Sequence, residues 1–294
     1  MRPFELAEPA TLREAIGLLD PADPTVRPIA GGTALMLMMK AGVFRPRRLI
    51  SLRKVESRFT RVEVAADGGL RVGALAPLAS LERMPELRRA VPAIAETLRT
   101  LSNVRVRNVA TVGGHLAHAD PHMDLPPLLI ALGGRVVVLG PKGERTVAVE
   151  DLFAGYLETV LAKNELIAEL VVPARPSVRA LYIKCTTRSA DDWPALGVAV
   201  ALDLEPGGAV RGADIAISAA TEKPIRLKAA EAVLRGAGID DATLRRAGEV
   251  AADEADPIDD TRGSAAYKKQ LVRVHVARAI RQAAARPAMG EAGA

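Results

Sequence analysis

Residues 111–124 read Thr111-Val112-Gly113-Gly114-His115-Leu116-Ala117-His118-Ala119-Asp120-Pro121-His122-Met123-Asp124. A glycine pair opens the stretch, and three of the chain's four histidines follow within eight residues beside two carboxylates. A second glycine pair stands near the start of the chain, in Ala30-Gly31-Gly32-Thr33-Ala34, between an expected strand at Arg27–Ala30 and an apolar helical run from Leu35 to Lys40. Paired glycines permit positive φ and put no Cβ in the way of a neighbour. Successive backbone N–H groups can then converge on an anion. Two such loops could cradle a pyrophosphate from two sides, although each alone reads equally as a tight turn. Neither has the Gly-x-Gly-x-x-Gly spacing of a wound dinucleotide-binding fold, and neither continues into Gly-Lys-Ser/Thr.

The histidines read in two ways. His with carboxylate suits zinc or iron. Against this, Pro121 interrupts helical register, which favours a polar loop lining a cofactor cleft and no metal ligands. A third segment, Tyr182-Ile183-Lys184-Cys185-Thr186-Thr187-Arg188-Ser189-Ala190-Asp191-Asp192-Trp193-Pro194, ends an alternating strand. Its Lys, Arg and two Asp suit either the edge of a charged ligand or a solvated strand end with ion pairs.

Around these segments the pattern is α+β. Thr11-Leu12-Arg13-Glu14 has capping-box spacing, and Leu12, Ala15, Ile16 and Leu19 give one apolar face. A strand is expected at Arg48–Leu52. Hairpins are expected around Asp67-Gly68-Gly69 and Gly140-Pro141-Lys142-Gly143, and a helix over Glu86–Leu98. Glu165–Val172 reads as a strand. Leu181–Cys185, Gly197–Leu204 and Ala209–Ser218 read as three more, followed by helices at Arg226–Leu234, Asp241–Ala252 and Ser264–Ala285. Strands followed by helices and joined by hairpins favour α+β over a wound parallel sheet. The Ala/Gly-rich tail after Pro287 is expected to fray.

Composition narrows the chemistry. The chain has 294 residues, 49% hydrophobic and 26% charged, with 3% aromatic and one cysteine, Cys185. One thiol makes no intrachain disulfide and cannot hold an iron–sulfur cluster or a Cys-rich zinc site. Any redox role therefore needs an organic cofactor or a partner's metal. The net charge of +5 is spread among 40 basic and 35 acidic residues without aromatic interleaving, which argues against a nucleic-acid surface. There is no 18-residue apolar run and no apolar leader after Met1, so a cytoplasmic protein without a transmembrane segment is expected.

Taken together, the three segments resemble the flavin-binding medium subunit of the molybdenum hydroxylases, the family of carbon monoxide dehydrogenase and xanthine dehydrogenase. The resemblance covers almost the whole chain. It begins at Phe4…Pro9-Ala10-Thr11-Leu12-Arg13-Glu14-Ala15. It continues through Ala30-Gly31-Gly32-Thr33, Thr111-Val112-Gly113-Gly114, Leu116-Ala117-His118-Ala119-Asp120-Pro121 and Asp124-Leu125-Pro126, and ends at Ser264-Ala265-Ala266-Tyr267-Lys268-Lys269.

The resemblance implies a two-subdomain FAD-binding fold of the vanillyl-alcohol-oxidase/PCMH type (residues 1–57 and 58–175). A C-terminal α+β domain (176–294) with a three-stranded antiparallel sheet and helices follows. By position it implies that Ala30, Gly31, Gly32, Thr33 and Ala34, with Thr111, Gly113 and Gly114, bind the FAD pyrophosphate through backbone N–H groups. His115 and Ala119 fall within the matching motif, His115 standing where the family usually carries Asn. Asp124 matches a carboxylate on the FAD ribose. Leu166 and Ile167 match apolar residues beside the flavin or adenine, and Lys184 and Asp191 a pair near the isoalloxazine edge. The resemblance also implies partners: a small subunit with 2Fe–2S clusters and a large molybdopterin subunit, in a dimer of heterotrimers. Electrons would leave from this chain to NAD, a quinone or oxygen. The rival readings are a stand-alone FAD oxidase and a non-catalytic scaffold that has lost FAD.

Overall fold

The computed structural model describes residues 3–291. Met1, Arg2 and the last three residues of the expected frayed tail lie outside them. The first unit is a small sheet of three parallel strands in the order β1-β3-β2: β1 (Glu5–Ala7), β2 (Val26–Ile29) and β3 (Arg48–Ser51). α1 (Leu12–Leu18) carries the capping box read from Thr11 and Glu14, with Glu14 N–H donating to Thr11 Oγ1 at 3.1 Å. It buries Leu12, Ala15 and Ile16. α2 (Leu35–Lys40) follows the first glycine pair. The parallel pairing was not expected from the sequence. It arises because α1 and the glycine loop with α2 each carry the chain back to the same end of the sheet before the next strand starts.

The second unit is an antiparallel sheet in the order β4-β5-β10-β6-β7. Its hairpins join β4 (Val62–Val64) to β5 (Leu70–Gly73) and β6 (Arg135–Gly140) to β7 (Gly143–Ala148), at the two turns the sequence marks. The expected helix over Glu86–Leu98 is instead part of a helical run: α3 (Leu78–Arg83), α4 (Pro85–Ala90), α5 (Pro92–Thr100) and α6 (Val104–Arg107). The break falls at Val91, which leaves helical geometry (φ −138°, ψ 68°) ahead of Pro92. α7 (Val112–His118) is the second glycine motif itself, and α8 (Leu125–Ala131) is buried along its whole length. The sequence suggested neither helix. α9 (Val149–Leu152) and the short pair β8 (Phe153–Gly155) and β9 (Glu158–Thr159) lead to β10 (Leu166–Val172).

The C-terminal unit has the three expected antiparallel strands, β11 (Val178–Cys185), β12 (Leu196–Leu204) and β13 (Val210–Ser218). A fourth strand, β14 (Ile225–Arg226), pairs with β13 where a helix was expected to begin. α10 (Lys228–Leu234), α11 (Asp241–Glu254) and α12 (Ala265–Ala284) cover one face of this sheet. The other face packs on the core of the second unit through Val178, Ala180, Ala199, Ala201 and Ala216. The tail after Pro287 does not fray within the described residues. Met289 is buried and its N–H donates to Val178 O at 2.9 Å, while Gly290 N–H donates to Pro176 O at 2.9 Å. No helix among the described residues is long and apolar enough to cross a membrane.

Candidate functional site

The first glycine loop leaves β2 and enters α2. Gly32 has φ +71°, the left-handed region that favours glycine. At Gly31 the reason is close approach: a Cβ there would lie 2.1 Å from Val109 O. The loop is therefore pressed onto residues 109–110, immediately before the second glycine motif. The N–H groups of Gly31, Gly32, Thr33 and Ala34 meet no acceptor among the described residues. Ala30 to Ala34 are half-buried, so these four donors sit on a partly sheltered surface without partners. That is an arrangement suited to an anion.

The second loop differs from expectation. The amides of Val112, Gly113 and His115 are committed to the protein: Val112 N–H to Ala76 O (3.0 Å), Gly113 N–H to Ala74 O (2.7 Å) and His115 N–H to Thr111 O (2.8 Å). Gly114 N–H donates to the capping hydroxyl of Thr111 at 3.2 Å. Gly113 is required by packing, since a Cβ there would lie 2.6 Å from the Ala74 Cβ. The amides left without acceptors are thus those of the first loop. The second supplies a wall, with Gly114 exposed and facing Ala30. Ala74 also ties in β10, because its N–H donates to Ala168 O at 2.9 Å, at the bulge between Ile167 and Glu169. Leu166 and Ile167, both buried, are brought to the same neighbourhood by this link.

His115 is buried on α7, and its Nε2 has no hydrogen-bond partner among the described residues. Burial, reinforced by His118, lowers its pKa to about 3, so the ring is neutral. A buried nitrogen left unsatisfied fits a partner from outside the chain. α7 then ends at Ala119 in a left-handed conformation (φ 54°, ψ 29°).

Asp124 is buried at the entry to α8. Tyr182 donates to its Oδ1 at 2.7 Å, and Lys184 Nζ donates to its Oδ2 at 3.0 Å and to Thr100 O at 2.8 Å. Burial raises the Asp124 carboxyl above its ordinary value despite Lys184 beside it. Burial and Asp124 together push the Tyr182 hydroxyl up as well. Lys184 and Asp191, expected together near the isoalloxazine edge, have separate partners here. Lys184 points inward to Asp124, while Asp191 lies on an exposed turn and accepts from Ser189 Oγ at 2.7 Å. The reason is electrostatic: a nearly buried ammonium is stabilised by a buried carboxylate far more than by an exposed one. The sequence did not reveal Thr100, whose contribution is a backbone carbonyl, and gave Tyr182 no role beyond opening the third segment. Alternation along β11, which puts Tyr182 and Lys184 two apart on one face, is the signal that links them. Cys185 is half-buried with a thiol pushed up by burial, consistent with a packing role. Among the described residues no group of three His, Cys, Asp or Glu side chains converges as metal ligands do.

Free amides on a glycine loop, a buried unsatisfied imidazole and a carboxylate–lysine pair on adjoining elements suit a dinucleotide held outside the wound βαβ class. Residues 2–175 match the family described as "FAD binding domain in molybdopterin dehydrogenase", and residues 182–283 match "CO dehydrogenase flavoprotein C-terminal domain". The carbon monoxide dehydrogenase medium chain of Hydrogenophaga pseudoflava is 31% identical over 96% of this chain and 98% of its own. The nicotine 6-hydroxylase medium subunit of Paenarthrobacter nicotinovorans is 33% identical over 95% of this chain and 97% of its own. In structure, carbon monoxide dehydrogenase from Hydrogenophaga pseudoflava superposes with a TM-score of 0.92 at 32% identity, over 98% of this chain and 100% of that one. Quinoline 2-oxidoreductase from Pseudomonas putida 86 superposes at 0.89 with 30% identity, over 97% of this chain and 98% of that one. The chain belongs to the family of FAD-binding medium subunits of the molybdenum hydroxylases, and its cofactor is FAD.

Proposed function

We propose that this chain is the electron-exit subunit of a heteromeric molybdenum hydroxylase. In this reading a molybdopterin subunit oxidises substrate, and a small subunit relays single electrons through 2Fe–2S clusters. Electrons leave from this chain to NAD, a quinone or oxygen. One cysteine leaves no means of binding a cluster here, which supports a neighbouring chain as the carrier of that chemistry. When bound, FAD supplies the exchange between single electrons and a pair; the protein binds it, orients it and tunes it. The residues that would hold it are Gly31, Gly32, Thr33 and Ala34 through their N–H groups, with Ala30 and Gly114 as walls. His115 offers an unsatisfied nitrogen, Asp124 its remaining lone pairs toward a ribose hydroxyl, and Leu166 and Ile167 an apolar side. Lys184 opposes the burial that raises the Asp124 carboxyl.

The observation that carries this reading is the set of four unpartnered amides on Gly31–Ala34, pressed against the segment that leads into α7. The visible spectrum of the purified full chain tests it. Flavin bands after FAD addition, unbleached by small organic donors but bleached when the partner subunits are added with their substrate, support it. Bleaching by a small donor with this chain alone replaces it with a stand-alone oxidase. No bound flavin under any condition leaves a scaffold.

A further inference from the structure

His122 takes no part in the site above, yet it is among the most highly constrained side chains of the fold. Each ring nitrogen faces a carboxylate: Nδ1 lies 3.0 Å from Asp120 Oδ1, and Nε2 lies 3.0 Å from Asp260 Oδ2. A neutral imidazole has one N–H and one lone pair, so it satisfies one of these acceptors and repels the other. The imidazolium donates to both. Asp120 belongs to the same turn and also accepts the His122 N–H at 2.8 Å. Asp260 comes from the other side of the domain junction, 138 residues on. Lys268, completely buried on α12, sits 2.7 Å from Asp260 Oδ2 and donates to Ala219 O at 2.9 Å. Ala219 N–H donates in turn to Pro121 O at 2.7 Å, which closes a ring of contacts across the junction.

One face of the imidazole is stacked on Trp193, with centroids 5.2 Å apart and planes 12° from parallel. Trp193 is otherwise 53% exposed. Its neighbour Asp192 pairs with Arg262 at 2.8 Å, and Arg262 N–H donates to Asp260 Oδ1 at 2.8 Å. The Trp193 turn is thus anchored to the same Asp260 that holds His122.

We propose that His122 is a positioning residue: a protonated clasp that fastens the turn carrying Asp124 to the C-terminal domain beneath Trp193, and gives up one of its two carboxylates when it loses its proton. The charges facing it are Asp120, with His118 behind it, from its own segment. From the C-terminal domain they are Asp260 with Lys268 and Arg262, and Asp192 alongside Trp193. Burial alone lowers the His122 pKa, but the hydrogen bonds and charges of Asp120 and Asp260 outweigh it, and the net direction is upward. A group whose folded value is raised stabilises the fold fully below its ordinary value of about 6.5, and the contribution is lost as pH rises through the raised one. The clasp is therefore closed below about 6.5 and opens as pH rises through the raised value. It stands whether or not the chain carries FAD.

Trp193 is the sole tryptophan of the chain, so indole emission from the purified full chain reports that ring alone. A stacked imidazolium quenches indole emission, and a neutral ring does so much less. Emission is expected to rise in one step as pH increases, with a midpoint above 6.5. Asp260→Asn removes one carboxylate and moves the midpoint down by about 1 unit or more. His122→Phe keeps a flat ring under Trp193 and abolishes the step, circular dichroism reporting that the chain is folded. A flat wild-type profile, a step that survives His122→Phe, or a midpoint that Asp260→Asn leaves in place each overturns the clasp. The wild-type measurement decides even if a variant does not fold.

Discussion

The interaction that most shapes the site is one side-chain pair, Lys184 with Asp124. The Lys184 side chain is 7% exposed and that of Asp124 5%. Two charges this dry attract strongly, but much of the gain is spent on removing both from water. Removing one partner leaves the other with the full desolvation cost, which is about 3–5 kcal/mol for a buried pair. Lys184→Met is therefore expected to lose about that much at pH 8. In the variant Asp124 keeps only the Tyr182 hydroxyl, and its carboxyl, already raised by burial, rises further. A raised carboxyl stabilises the fold in its protonated form, and that contribution is lost as pH climbs through the folded value. The deficit of Lys184→Met must then shrink toward acid. Urea midpoints at pH 5 and pH 8 check this, and an equal deficit at both would show that Asp124 does not carry the uncompensated charge. None of this could be read from the sequence. Asp124 and Lys184 lie 60 residues apart, and nothing in the local pattern of either segment links them.

At the scale of elements, the two glycine motifs do different work although they look alike in sequence. α1 was legible because its cap and its apolar spacing agree. α7 was not, because Gly113 and Gly114 lower helix propensity and imitate a turn. Tertiary contact overrides propensity there: Thr111 caps the helix, and only glycine fits at 113 against Ala74. α8 was hidden for another reason. It is buried on every side, so it shows no polar–apolar period, and Pro126-Pro127 reads as a breaker when it in fact occupies the first turn. The two loops can be separated by comparing two variants. Gly31→Ala puts a methyl into the Val109 carbonyl and forces the first loop off residues 109–110. It is expected to weaken FAD binding by more than ten-fold, equivalent to about 1.4 kcal/mol. Thr111→Ala removes a cap, costs about 1 kcal/mol of stability, and leaves the four free amides in place. Its FAD affinity should fall by less than three-fold. Titration of flavin fluorescence on both variants is the check. If Thr111→Ala is the more damaging to affinity, the second loop is the anion cradle and the assignment of donors is reversed.

Across the whole molecule, the C-terminal sheet is the shared wall between two cores, and its two faces are built from different residues. On the α8 side the register sets Ala180 opposite Ala201 and Ala199 opposite Ala216, four small side chains that let helix and sheet approach closely. On the other side Val198, Val200, Leu202, Ile215 and Ile217 fill the space beneath α10–α12. Alternation along β12 therefore gives neighbouring residues unrelated jobs. Val200→Ala opens a cavity on the far face and costs on the order of 1–2 kcal/mol. Ala199→Leu overfills the near face and costs about 1–3 kcal/mol. Their stabilities should be similar, but their consequences for the cofactor should not. Excess volume at 199 presses on Tyr182, its cross-strand neighbour, and on the side of the sheet that faces α8, which starts at Asp124. A displaced Asp124 loses its alignment with Tyr182 and Lys184, which stay with β11. Ala199→Leu is thus expected to weaken FAD binding several-fold more than Val200→Ala at matched stability, read by the same flavin titration alongside a denaturation curve. Equal affinities would mean that the sheet supports the fold without positioning the site. A larger loss in Ala199→Leu would show that the C-terminal domain, which contributes Tyr182 and Lys184 directly, also sets the placement of Asp124 from behind.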